Sequence, residues 1–157
     1  MMVYVMRHGH AEAVHRDGDA HRELTPSGRS AVGSAGSGFA AQGVRLQSVI
    51  ASPFVRTQQT VEEFGGKRNA RPEILSDRRI ASGAHPDAMM EAVAEMPLPT
   101  LVVGHMPDVS SFTSWLIGGE LGTRLVFEPG TMACIRVIGG LRRGSGSLSW
   151  LRPVSQW

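Results

Sequence analysis

Two histidines in this sequence stand where an apolar run stops. Val3-Tyr4-Val5-Met6 runs into Arg7-His8-Gly9-His10, and Leu101-Val102-Val103-Gly104 runs into His105. Short apolar runs rich in β-branched residues read as buried strands. A side chain at the carboxyl end of such a strand is held rigidly over the sheet edge, where open α/β sheets place their ligands. A neutral imidazole there can attack phosphorus, and the guanidinium fork of Arg7 matches phosphate oxygens. Gly9 permits a turn and lets a ligand approach the backbone closely. Arg56 stands about one turn into a helix that follows Ser52-Pro53, and the start of that helix offers free N–H groups to an anion.

Taken singly, each of these residues has a plain structural explanation. A histidine at a strand end is usually structural, and an arginine in a first helical turn is usually solvated. Their gathering at one sheet edge is what would make them a site. The other histidines, His10, His15, His21 and His85, show no H-E-x-x-H or comparable helical spacing, so no metal is expected.

The elements that must position these groups alternate. After the first strand, residues 11–24 are polar and loop-like. Thr25-Pro26 supplies an N-cap and a first-turn proline for a helix to about Gln42, stopped by Gly43. Gly33, Gly36 and Gly38 weaken that helix by roughly 1 kcal/mol each relative to alanine, so packing must hold it. Val49-Ile50-Ala51 is a second strand and Ser52-Pro53 opens a second helix, stopped by Gly65-Gly66. Arg71–Leu75 is a weak third strand. His85-Pro86-Asp87 opens a third helix, Leu101–Gly104 is a strand, and Pro107–Leu116 a fourth helix. Arg124–Phe127, Met132–Ile138 and Ser147–Leu151 then read as strands joined by turns. Strand–helix alternation followed by hairpin-like turns predicts an α/β three-layer sandwich. Its central sheet is mixed but mostly parallel, flanked by helices on both faces.

Composition narrows the function classes. The 157 residues suit a single domain spanning 1–157. Sixteen Lys and Arg against fourteen Asp and Glu leave a net charge of +2, too little for strong non-specific nucleic-acid binding. No apolar run approaches the length of a membrane span, and no basic stretch precedes an apolar one at the start. Cys134 is the single cysteine, which excludes an internal disulfide and fits a reducing, cytoplasmic setting.

Four segments carry a family resemblance. Arg7-His8-Gly9, Leu24-Thr25-Pro26-Ser27-Gly28, Ser52-Pro53-Phe54-Val55-Arg56-Thr57-Gln58-Gln59-Thr60 and Val103-Gly104-His105-Met106-Pro107 together resemble the histidine phosphatase superfamily. They are most similar to its small phosphohistidine phosphatases of the Six-A type. The resemblance implies that His8 attacks the phosphoryl group and is transiently phosphorylated, with Arg7, Arg56 and His105 around the non-bridging oxygens. It implies no metal and no organic cofactor. Ser52 adds either a hydroxyl donor to the site or only a helix cap. Leu75-Ser76-Asp77-Arg78-Arg79 resembles the segment that carries the proton donor in larger members, which nominates Asp77. The alternative is that Asp77 pairs with its neighbouring arginines.

The loop after Gly9 lacks the Ser/Thr and Asn typical of the sugar-phosphate members, and no capping insertion follows it. A short, uncapped rim would leave the pocket open to a side chain on a folded partner, such as a histidine phosphotransfer domain. The expected activity is therefore phosphohistidine hydrolysis on a protein. A small-molecule phosphomonoesterase and a non-catalytic phosphate-recognition module are the competing readings. Lys67, Arg68, Arg71, Arg78 and Arg79 form a basic cluster that reads either as a solvated face or as steering for an acidic phosphoprotein.

Overall fold

The computed structural model describes residues 1–65 and 72–157, so Lys67, Arg68 and Arg71 of the basic cluster lie outside the described residues. Six strands and four α-helices follow one another as β1 (Met2–Arg7), α1 (Pro26–Ala41), β2 (Ser48–Ala51), α2 (Val55–Gly65), β3 (Glu73–Ser76), α3 (Pro86–Ala94), β4 (Thr100–Gly104), α4 (Asp108–Gly118), β5 (Met132–Val137) and β6 (Gly146–Arg152). The strands form one sheet in the order β3-β2-β4-β1-β5-β6. The pairs β3–β2, β2–β4 and β4–β1 are parallel, whereas β1–β5 and β5–β6 are antiparallel. This is the expected mixed sandwich.

Alternation along the central strands builds both faces. Val3, Val5, Ile50, Val102, Ala133 and Ile135 point to a core shared with α3 and α4, closed by Met89, Phe112 and Leu116. Their neighbours Tyr4, Met6, Val49, Leu101, Val103 and Cys134 point to the other core, shared with α1 and α2 through Val32, Phe39, Val61 and Phe64. Strands buried on both sides read as continuous apolar runs, which is why these were easy to see. Among the described residues, no helix is long and apolar enough to cross a membrane.

The helix signals hold at α1 and α3. Thr25 accepts from the Gly28 N–H ahead of Pro26, and the His85 side chain accepts from the Asp87 N–H. One strand expectation fails. Residues 124–127 form no strand. Their polar groups are met by side chains instead: Ser110 Oγ donates to the Leu125 carbonyl and accepts from its N–H, and Arg7 donates to the Phe127 carbonyl. With those groups satisfied, and Val126 71% exposed, the segment gains nothing from a ladder.

Packing does compensate the glycines of α1, but unequally. A Cβ on Gly36 would lie 2.2 Å from the Phe64 carbonyl oxygen, so α1 and α2 touch through that glycine; at Gly33 a Cβ would meet nothing within 4 Å. Gly36→Ala should therefore destabilise the protein by roughly 1–3 kcal/mol through overpacking. Gly33→Ala should stabilise it by roughly 0.5–1 kcal/mol. Urea unfolding of the two variants checks the pair; equal shifts would contradict the contact.

Candidate active site

Three adjacent parallel strands end at the same edge. Arg7 of β1 lies opposite Gly104 of β4, and Val103 of β4 opposite Ala51 of β2. The ladder continues past them, with the His8 N–H donating to the Gly104 carbonyl and the Ser52 N–H to the Val103 carbonyl. His8, His105 and Ser52 thus emerge side by side. The two imidazole centroids are 5.3 Å apart. His105 Nε2 pairs with Ser52 Oγ at 2.7 Å, and the Phe54 ring lies edge-on at 4.9 Å. Ser52 also accepts from the Phe54 N–H at 3.2 Å, just before α2 begins at Val55. It therefore contacts the site and shapes the approach to α2, and the two sequence readings of it are not exclusive.

His8 is held by both ring nitrogens. Nδ1 donates to the Gly9 carbonyl at 2.7 Å, and Nε2 accepts from Arg56 Nε at 3.1 Å. A guanidinium can only donate, so Nε2 carries the lone pair and Nδ1 the proton. Burial pushes the His8 pKa down to about 4, with the Gly9 bond opposing and the charges of Arg56, Arg7 and Arg22 adding to the fall. Burial likewise pushes His105 down to about 3, aided by His8 and Arg56 and opposed by Asp19. Both rings are neutral near pH 7.

Arg7 and Arg56 supply the fixed positive charge. Arg7 Nη1 donates to the Phe127 carbonyl at 2.8 Å. Its Nε, like His105 Nδ1, is buried with no hydrogen-bond partner among the described residues. Buried polar atoms left unpaired are costly unless a ligand meets them. Exposure of His8, Arg56 and His105 is 7%, 4% and 2%. The four residues expected to converge do converge.

Gly9 serves a different purpose from the one its sequence context suggests. A Cβ there would lie 2.6 Å from Val32 Cγ2, so it is helix α1 that approaches this backbone. The Gly9 N–H donates to Thr60 Oγ1 at 3.0 Å, and Thr60 Oγ1 donates to the Arg56 carbonyl at 2.6 Å. One hydroxyl thereby ties the His8 turn to the helix that carries Arg56. Thr60 closes one of the four segments that carry the family resemblance, and nothing local to it in the sequence signals this bridge.

The rim loop folds in onto Arg56. Residues 11–24 fold back on themselves through the Ala11–Leu24 bridge and the Glu12 N–H to Glu23 carbonyl bond. A 3-10 turn at Asp19–His21 caps the loop. It brings Asp19 onto Arg56, whose Nη1 donates to the Asp19 carbonyl at 2.7 Å and Nη2 to Oδ2 at 3.1 Å. Arg22 Nη1 donates to Asp19 Oδ1 at 2.8 Å. Asp19 carried no local signal, because its partner Arg56 lies 37 residues away in the chain; Arg22 is brought to the site through Asp19, three residues before it. On the same loop Glu12, His15 and Glu23 bring three ligand-type atoms within 4.8 Å of one another. Both carboxylates already accept hydrogen bonds, from the Glu23 N–H and from Gln59.

Asp77 stands at the same edge of the sheet, its N–H donating to the Ala51 carbonyl at 3.0 Å, but its side chain is engaged. Its carboxylate accepts the Arg79 N–H at 2.7 Å and the Arg79 guanidinium through both oxygens. Arg79 also pairs with Glu95 at 2.7 Å. These bonds hold the Asp77 carboxyl below the usual range. Of the two readings of Asp77, the structure displays the pairing with a neighbouring arginine.

The lowered histidine pKa values set a pH dependence. An unfolded chain binds protons at His8 and His105 from the ordinary value of 6.5 downward, while the folded protein resists until about 4 and about 3. Stability is therefore full above pH 6.5 and falls as pH drops through the window to about 3. Ring nitrogen NMR should find His8 protonated at Nδ1 alone from pH 8 to 5.5, with denaturant midpoints declining below 6.5. Titration of His8 near its ordinary value would contradict the burial argument.

Comparison with known proteins bears on this geometry. Residues 3–81 match the model of the histidine phosphatase superfamily, branch 1. Phosphohistidine phosphatase SixA of Escherichia coli strain K12 is 30% identical over 158 residues, covering 96% of this chain and 92% of that protein. The solved structure of the protein histidine phosphatase SixA complexed with tungstate superposes with a TM-score of 0.87 at 24% identity, over 99% of this chain and 98% of that one. A phosphoserine phosphatase from Entamoeba histolytica in complex with phosphoserine shares the fold at a TM-score of 0.67 and 11% identity, over 99% and 98% of the two chains. The motifs, the sandwich and these matches agree: the chain belongs to branch 1 of the histidine phosphatase superfamily and is a phosphatase.

Proposed function

We propose that this phosphatase hydrolyses phosphohistidine on a partner protein through a phosphorylated intermediate at His8. The observation that carries the chemistry is the lone pair on His8 Nε2 inside a cup of cationic and N–H donors. Nε2 attacks phosphorus, and the P–N bond to the substrate imidazole breaks. As His8 gains positive charge, its Nδ1–H bond to the Gly9 carbonyl strengthens, which favours the transition state over the ground state. Arg7, Arg56, His105 and Ser52 surround the non-bridging oxygens and offset charge on the in-line transition state. Arg56 Nε moves from the lone pair to a phosphoryl oxygen as the substrate seats. Water then attacks phospho-His8 and releases inorganic phosphate.

The leaving group follows from the acids present. Asp77 is bound to Arg79, and Asp19 is held ionised by Arg22 and Arg56. A site without a protonated carboxyl suits a leaving group that needs little help. An imidazole whose ring is already protonated departs neutral, whereas an alkoxide requires an acid. Similarity to the Escherichia coli phosphohistidine phosphatase supports the same choice. A histidine phosphotransfer domain is a partner of the right kind.

The test compares a phosphorylated histidine phosphotransfer domain with a panel of sugar, serine and nucleoside phosphates. Rapid release of phosphate from the domain, with slow hydrolysis of the esters, is expected; the reverse order would make the protein a small-molecule phosphomonoesterase. Tight phosphate binding without turnover on any substrate would leave a recognition module. His8→Ala should lower turnover by roughly a thousandfold or more and abolish acid-quenched phosphoenzyme while the fold persists. Asp77→Asn should keep phosphohistidine turnover within about threefold, a barrier change below ~1 kcal/mol. A larger loss would return Asp77 to the chemistry.

A further inference from the structure

Arg56 carries its charge at 4% exposure, and burial on that scale requires a counter-charge. The partner the chain provides is Asp19, and the way it does so is specific. Its two carboxylate oxygens divide between two arginines, Oδ1 to Arg22 Nη1 at 2.8 Å and Oδ2 to Arg56 Nη2 at 3.1 Å. Its backbone carbonyl takes Arg56 Nη1 as well. Two oxygens of one anion bridging two guanidinium groups is also how a phosphoryl group would be held. Asp19 nevertheless has a side chain 57% exposed, against 4% for Arg56. It reaches Arg56 from a 3-10 turn at the tip of the loop.

Arg22 belongs to the same assembly. Its Nε is fixed by the Glu12 carbonyl at 2.6 Å, so the guanidinium is oriented without help from Asp19. Its charge is close enough to depress both Arg7 and His8. Three arginines, Arg7, Arg22 and Arg56, therefore act on His8, with Asp19 shared between Arg22 and Arg56 and the charge of Glu128 felt at Arg7.

We propose that Asp19 is an internal substitute for the substrate's phosphoryl group, bridging Arg22 and Arg56 until the phosphoryl displaces it, and that Arg22 is a further phosphate-binding residue. This rests on the reading of the cup as a phosphoryl site. The exchange keeps the buried guanidinium compensated in both states. It also weakens retention of inorganic phosphate, because the returning carboxylate competes with the product for the same two arginines. A carboxylate that merely positioned Arg56 would have the opposite effect: its loss would weaken phosphate binding.

Calorimetric titration with inorganic phosphate separates the two, using the intact protein and no turnover. Asp19→Asn, which keeps shape and removes charge, should lower the phosphate Kd about tenfold and lower the product-inhibition constant alike. In the Asp19→Asn background, Arg22→Met should raise the Kd about tenfold again, since a charge-assisted donor is lost. Thermal unfolding of both variants verifies the fold. An unchanged or weakened affinity in Asp19→Asn would overturn the substitution, and no response to Arg22→Met would overturn the role of Arg22. Absence of phosphate binding in wild type and variants alike would instead remove the phosphoryl reading itself.

Discussion

Arg56 Nε lies 3.1 Å from His8 Nε2, and that contact exists only while the imidazole nitrogen is unprotonated. Much else follows from satisfying this one buried pair. The Gly9 carbonyl must take the other ring proton, so the chain turns at residue 9. The rest of the guanidinium needs an anion, so loop 11–24 folds inward and delivers Asp19. The helix bearing Arg56 must be fixed relative to the turn bearing His8, and Thr60 does this by accepting from Gly9 and donating to Arg56. An imidazole kept neutral by burial and by surrounding cations meets the electrostatic condition for the proposed phosphoryl attack at neutral pH.

Close backbone approach makes that arrangement compact. A Cβ on Gly28 would lie 2.2 Å from the His10 carbonyl oxygen, and one on Gly36 equally near Phe64 O. The same helix α1 therefore presses on the turn after His8 through one glycine and on α2 through another. Its intrinsic helix propensity is sacrificed at those positions, and contact with both neighbours is what offsets the loss.

The sandwich itself is shared with a phosphoserine phosphatase at 11% identity. Fold alone does not select the leaving group. Selection lies in where carboxyl groups end up. Here Asp77 is captured by Arg79, which also binds Glu95 on the far side, and the carboxylate that reaches the cup comes from the first loop. In such an arrangement both Asp77 and Asp19 are held as carboxylates by arginines.

Local patterns carried much of this protein. Apolar runs bounded by glycine and proline revealed the central strands, Thr25 and His85 revealed two helix starts, and two histidines directly after such runs revealed the site edge, because each feature is a short-range rule of backbone chemistry. The four-residue convergence was legible only through a family resemblance, since nothing local says that β4 inserts between β1 and β2. Tertiary structure alone decided that Asp19 bridges Arg22 and Arg56, which of its two readings Asp77 takes, and that residues 124–127 satisfy their backbone through Ser110 and Arg7 instead of a strand. The site partnerships join residues brought together by chain folding, and a buried charge or carbonyl takes whichever partner the packed fold places within reach.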